Sequence, residues 1–162
     1  MAIPRDRLEM SKLHPAYVAG FIDGEGCIRI DKSKSAGRST CYKIEIIVAN
    51  NDQSILLQLQ EQYGGYMRHS KFGTQKAYYW SLYGSPAETF LYEILPYLQV
   101  KLEQAEAALE FQKVKTKAIP APGKRLSEEE LTLRDSYYWR IKELKSSKPV
   151  TTTKGHLSEM MV

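Results

Sequence analysis

Two hydrophobic patterns alternate along this chain, one of period two and one of helical spacing, and together they lay out its elements. Val18, Phe21 and Ile22 recur at i, i+3 and i+4 and predict a short helix starting near His14 or Pro15, where proline suits the first helical position. Over residues 27–32, Ile28 and Ile30 face one way and Arg29 and Asp31 the other, as in a half-buried strand. The polar, glycine-containing segment 33–40 reads as a hairpin connection to a second strand over 42–48, where Lys43 and Glu45 oppose Ile44 and Ile46. Asn51 or Asp52 caps a helix to about Tyr63 with Ile55, Leu56 and Leu59 apolar, and Gly64-Gly65 ends it. A second strand pair is predicted over 66–71 and 76–83, with Tyr78, Trp80 and Leu82 on one face and Tyr79, Ser81 and Tyr83 on the other.

Ser85-Pro86-Ala87-Glu88 carries the residues of a helix start, and Phe90, Leu91, Ile94 and Leu95 would dock that helix before Pro96 ends it. A further helix is predicted over 101–117, with Leu102, Ala105 and Leu109 inward. Pro120, Pro122 and Gly123 then break the chain, and a Ser127–Glu130 capping box flanked by Leu126 and Leu131 opens a last helix to about Lys145. The expected fold is α+β, in the order αββαββα, with one four-stranded antiparallel sheet, helices on one face of it and an added C-terminal helix. Residues 1–13 read as an N-terminal arm, 14–145 as a single domain and 146–162 as a mobile tail.

The predicted first helix ends in Val18-Ala-Gly-Phe-Ile-Asp-Gly-Glu-Gly26. Gly20 and Gly24 lie on one side of it, at a cost of about 1 kcal/mol of helix propensity each. Close approach by a second helix is the packing reason such a pair suggests. Asp23 and Glu25 fall at the helix C-terminus, where the dipole already places negative charge, so a cation would repair the arrangement.

The chain has 162 residues, 43% of them hydrophobic and 26% charged, which is a globular composition. No run approaches the length of a membrane span and no signal-peptide core is present, so the expectation is a soluble, intracellular protein that is not secreted and has no membrane partner. Cys27 and Cys41 are too few for a disulfide scaffold or a zinc site. His14, His69 and His156 show no ligand spacing. The net charge is +4, and the excess lies within 27–83, where Arg29, Lys32, Lys34, Arg38, Lys43, Arg68, Lys71 and Lys76 outnumber Asp31, Glu45, Asp52 and Glu61. A polyanionic partner would fit that segment, although a solvated mixed-charge surface would also account for it.

The segment from Val18 to Gly26, followed by β-rich sequence, resembles the signature of the LAGLIDADG homing endonucleases, with Val18 for the leading leucine and Glu25 for the commoner final aspartate. Both exchanges keep the chemistry, apolar for apolar and hard oxygen ligand for hard oxygen ligand. The resemblance covers residues 14 to about 117 and implies the same αββαββα order, with the sheet as a DNA-binding surface. It also implies a site-specific, metal-dependent double-strand break in a long, near-palindromic DNA target. A chain with a single motif would act as a homodimer, with Ala19, Gly20, Asp23 and Gly24 at the interface. Mg²⁺ is the implied cofactor, held by Glu25 and the Gly24 carbonyl, with Mn²⁺ or Ca²⁺ able to stand in for binding.

Two further positions follow from the resemblance. Lys101, in Leu95-Pro-Tyr-Leu-Gln-Val-Lys101, matches a lysine of the active-site water network. Asn50 matches a polar, water-orienting position commonly filled by glutamine, and could equally cap the next helix. Asp23 is open to either a catalytic or a capping role. The sheet face facing away from the helices offers Arg29, Asp31, Ser33, Lys43, Glu45, Tyr66, Arg68, Ser70, Tyr79 and Ser81 for DNA contact. Arginine there can pair with guanine and acids with cytosine, while other cations hold phosphates. The same fold can also serve an intron-RNA splicing maturase, with intron RNA as partner, or a non-cutting DNA-binding regulator.

Overall fold

The computed structural model describes residues 12–34, 39–72 and 75–146. Most of the expected arm and tail, and the tips of both hairpins, lie outside those residues. In chain order the elements are α1 (Pro15–Glu25), β1 (Gly26–Ser33), β2 (Cys41–Asn50), α2 (Gln53–Tyr63), β3 (Tyr66–Phe72), β4 (Gln75–Tyr83), α3 (Gly84–Ile94), α4 (Leu102–Lys117) and α5 (Glu128–Ser146). A 3-10 turn, Leu95–Tyr97, follows α3. The four strands form one antiparallel sheet in the order β1-β2-β4-β3, so the α+β expectation holds.

Burial on one face of that sheet drives the assembly. Ile28 and Ile30 of β1, Ile44, Ile46 and Val48 of β2, and Trp80 and Leu82 of β4 point to the helices and are closed off from solvent. Against them pack Val18, Ala19 and Ile22 of α1, Leu56 and Leu59 of α2, Phe90, Leu91 and Ile94 of α3, and Ala105, Ala108 and Phe111 of α4. Each large aliphatic side chain so buried contributes about 1.5–3 kcal/mol. Trp80 is the largest member; its ring meets Phe90 edge-on at 5.5 Å and its indole N–H donates to the Gly64 carbonyl at 2.8 Å, so its one polar atom is satisfied.

The local signals set most boundaries. His14 caps α1 by accepting the Ala16 N–H at its ring nitrogen, and Asp52, one of two candidates, caps α2 by accepting the Ser54 N–H. The Ser127–Glu130 capping box forms in both directions. One prediction is corrected: Ser85 does not cap α3. Gly84, at φ 62°, turns the chain one residue earlier, so Tyr83 is the N-cap and Ser85 already lies inside the helix. Gly26 is needed where α1 runs directly into β1, because a Cβ there would come within 2.8 Å of the Ile22 carbonyl oxygen.

Candidate active site and nucleic-acid interface

The end of α1 is built as a reciprocal clasp with the start of α4. The Asp23 carboxylate accepts the backbone N–H groups of Gln99 and Lys101, at 2.8 and 2.9 Å, one on each oxygen. In return the Lys101 ammonium donates to the Ile22 carbonyl at 2.8 Å and to the Asp23 carbonyl. The helix dipole gathers negative charge on these last carbonyls, and the Ile22 carbonyl, which already accepts the Gly26 N–H, takes the ammonium as a second donor. These hydrogen bonds give the Asp23 carboxylate the geometry of a cap on the start of α4.

The clasp fixes where the chain goes next. Glu25, the last residue of α1, is exposed. It lines a surface cavity of about 320 Å³ together with Ala49, Asn50, Asn51 and Ala77. Asn50, from the end of β2, is thus brought beside Glu25 across the sheet, although the two lie far apart in sequence. Its Oδ1 accepts the Asp52 N–H at 2.8 Å, so the helix cap itself falls to Asp52. Gly24 is exposed beside the site. Among the described residues, no three His, Cys, Asp or Glu side chains gather as a metal cluster, and this cavity offers a single carboxylate.

The sheet register places all ten expected contact residues on one face. Arg29 stands opposite Glu45, which stands opposite Tyr83; Asp31 is opposite Lys43; Ser81 is opposite Tyr66; Tyr79 is opposite Arg68; and Ser70 is opposite Ala77. They are not equally available. Tyr66 is 71% exposed, and Arg29, Ser33, Arg68 and Ser70 are also open to solvent. Lys43 leans over the Tyr83 ring at 4.5 Å and Arg68 over Tyr79 at 5.0 Å.

Two expected contacts are corrected by burial. Glu45 is only 3% exposed; its carboxylate accepts the Arg29 Nε–H at 2.5 Å and lies against Tyr83. Burial works against the Arg29 charge, but the Glu45 bond and charge outweigh it and hold the guanidinium more firmly protonated. Ser81 is buried as well, and the Tyr66 and Tyr83 rings on the neighbouring positions of that face approach each other at 6.1 Å. Neither Glu45 nor Ser81 presents surface for a base to touch. Tyr83, by contrast, is a face residue that side-chain parity alone could have added to the contact set.

The α1 surface away from the core carries Tyr17, Gly20 and Gly24, all exposed. Among the described residues, a Cβ built on either glycine meets nothing within 4 Å beyond the helix's own backbone. Ala19 is corrected: it is 0% exposed and belongs to the chain's own core, because it lies a quarter-turn round the helix from Gly20.

The LAGLIDADG endonuclease family profile matches residues 18–116, which holds the α1 motif, the whole sheet and nearly all of α4. No curated protein sequence matches. Among solved structures, the chain is similar to the homing endonuclease I-CvuI in complex with the I-CreI target in the presence of 2 mM Mg, with 24% identity, a TM-score of 0.68 and 85% of each chain covered. It is also similar to the archaeal intron-encoded homing endonuclease I-Vdi141I complexed with DNA, with 15% identity, a TM-score of 0.66, and coverage of 88% of this chain and 86% of that one. The I-LtrWI LAGLIDADG homing endonuclease bound to target DNA matches with 16% identity and a TM-score of 0.62 over 85% of this chain, which spans 47% of the other. With its motif, sheet and profile match in agreement, the chain belongs to the LAGLIDADG endonuclease family.

Proposed function

We propose that the protein is a site-specific DNA endonuclease of the homing type, which cuts both strands of a long, near-palindromic target as a homodimer with Mg²⁺. The observation that carries this reading is the cavity shared by Glu25 and Asn50 at the rim of a sheet face rich in Arg, Lys and Tyr. A carboxylate and an amide oxygen are the hard donors Mg²⁺ prefers, and this ion keeps several waters, so a single carboxylate per chain suits it. Glu25 and the Gly24 carbonyl would hold the ion, which supplies an activated water and charge stabilisation at the phosphate. Asn50 would orient a water. Lys101 would keep the end of α1, and therefore Glu25, in place. Two strands require two such carboxylates, and two copies of the chain would bring one each. The match of this chain to about half of I-LtrWI supports the same count.

The test is cleavage of a randomised double-stranded DNA library with Mg²⁺ and with EDTA, by the natural protein and by Glu25→Gln. Metal-dependent enrichment of one near-palindromic site, reduced to background in Glu25→Gln while DNA binding persists, is the expected result. Continued cutting by Glu25→Gln would remove the metal-site assignment. Enriched binding without any cutting would favour the regulator or the maturase, which an RNA-binding assay then separates.

A further inference from the structure

We propose that the cleft between edge strand β1 and the last turns of α5 is a second site for the DNA backbone, where Lys142 and Lys145 hold a phosphate next to the Glu25 site. The inference rests on the DNA-binding reading above. The cleft is a cavity of about 400 Å³ whose charged lining is Arg29, Lys32, Lys142, Lys145 and the single acid Asp31. Two of these cations, Arg29 and Lys32, have carboxylate partners outside the cleft, which leaves Lys142 and Lys145 as the pair a phosphate would answer. The helix dipole accounts for lysines in the last turns of α5, but not for two of them lining one cleft beside the sheet.

The four cations are not equivalent. Lys32 is held by Asp135 and Arg29 by Glu45. Among the described residues, neither Lys142 nor Lys145 makes an ion pair. The Lys145 ammonium rests 3.0 Å from the Cys27 sulfur, and a thiol is a weak acceptor that a phosphate oxygen would outcompete. Lys142 lies over the Tyr138 and Trp139 rings, at 4.8 and 5.0 Å, and is exposed.

Position supplies the other half of the case. Cys27 and Arg29 project on the sheet face that carries the DNA-contact residues, so the cleft opens at the margin of that face. Cys27 is two residues beyond Glu25, a separation of at most about 7 Å along the chain. A phosphate bound between Lys145 and Lys142 would therefore belong to the stretch of backbone that passes the cavity of Glu25 and Asn50. A positive charge at the reaction site would come from α5, a helix outside the segment 18–116 that defines the family.

The experiment is a salt titration of binding to a long random-sequence duplex in EDTA, followed by fluorescence anisotropy across a KCl series. Removing one lysine–phosphate pairing should lower the slope of log K against log salt by about 0.9. Lys142→Gln/Lys145→Gln is expected to lower it by about one to two, while Lys142→Arg/Lys145→Arg keeps the natural slope. Lys113→Gln, on the solvent side of α4, serves as the control for a simple change in net charge and should leave the slope in place. An unchanged slope in the double glutamine variant, with the natural protein binding normally, would overturn the cleft site and leave the endonuclease reading intact. No binding by the natural protein at all would overturn both.

Discussion

Arg29 and Glu45 face each other across β1 and β2, and under the proposed DNA-binding role their bond sets what each could do. A carboxylate that is 3% exposed does not read a base; it fixes the direction of the guanidinium, which is the exposed partner. An arginine held in one orientation loses less freedom on pairing with guanine, and a good pair discriminates by about 1–3 kcal/mol. Glu45 is therefore expected to be a positioning residue. Glu45→Gln should weaken base preference about tenfold at one target position, the same position that Arg29→Ala relaxes, and the double variant should be no worse than Arg29→Ala alone. Selection of preferred sites from a randomised duplex pool checks this; a position altered by Glu45→Gln and untouched by Arg29→Ala would mean that Glu45 contacts DNA itself. The period-two pattern is enough to place both residues on the polar face. It does not tell reader from support, because which of two opposed charges is buried depends on Tyr83, contributed by another strand. The same holds for Asp23 and Lys101, whose roles at the end of α1 are set by backbone groups 76 to 79 residues away in sequence.

At the scale of elements, the sequence marks α5 as a helix but not as a neighbour of β1. Its start is readable because a capping box is local, whereas its docking depends on residues far away in sequence, with Ile141 in the core and Asp135 at the polar contact with β1 and β2. Asp135 accepts from the Lys32 ammonium at 2.5 Å, from the Tyr42 hydroxyl at 2.8 Å and from the Trp139 indole at 3.1 Å. The hydrogen bond from Lys32, with that from Tyr42, holds the Asp135 carboxyl below its ordinary value. A lowered carboxylate contributes stability above the unfolded value of about 3.9 and loses it as pH falls through the folded value. Asp135→Asn is thus expected to lower Tm by about 2–4 °C at neutral pH. That difference from the natural chain should shrink and vanish as the pH is taken below about 3.9. Thermal melts over a pH series measure both; an equal Tm at neutral pH would show that Ile141 and the apolar contacts hold α5 by themselves. The start of α3 escapes the sequence pattern for a different reason. Ser85 and Glu88 have the right spacing for a cap, but Gly84 can take a positive φ and starts the helix before Ser85 can serve.

For the molecule as a whole, the feature that the described residues leave unexplained lies in α1. Gly20 and Gly24 cost helix propensity, yet among the described residues nothing outside the helix's own backbone comes within 4 Å of where their side chains would be. Gly26 and Gly65 show the contrast, since a Cβ on either would strike backbone of the same chain. The cost at Gly20 and Gly24 therefore has no compensation among the described residues, and close approach of a second α1 would provide it. This leads to opposite expectations for the two states. Within a single copy, Gly20→Leu has room and should gain up to about 1 kcal/mol of helix propensity. Between copies, a leucine on the contact stripe would push the two helices apart and leave a monomer. Light scattering with thermal unfolding at matched low concentration separates these effects: a monomer with an intact fold is the expected outcome. An unchanged dimer would place the contact on another surface, and a monomeric natural protein, free and on DNA, would remove the two-copy reading with it. The same experiment bears on chemistry, because a chain with one Glu25 site should lose double-strand cutting together with the dimer while its sheet still binds a half-site weakly.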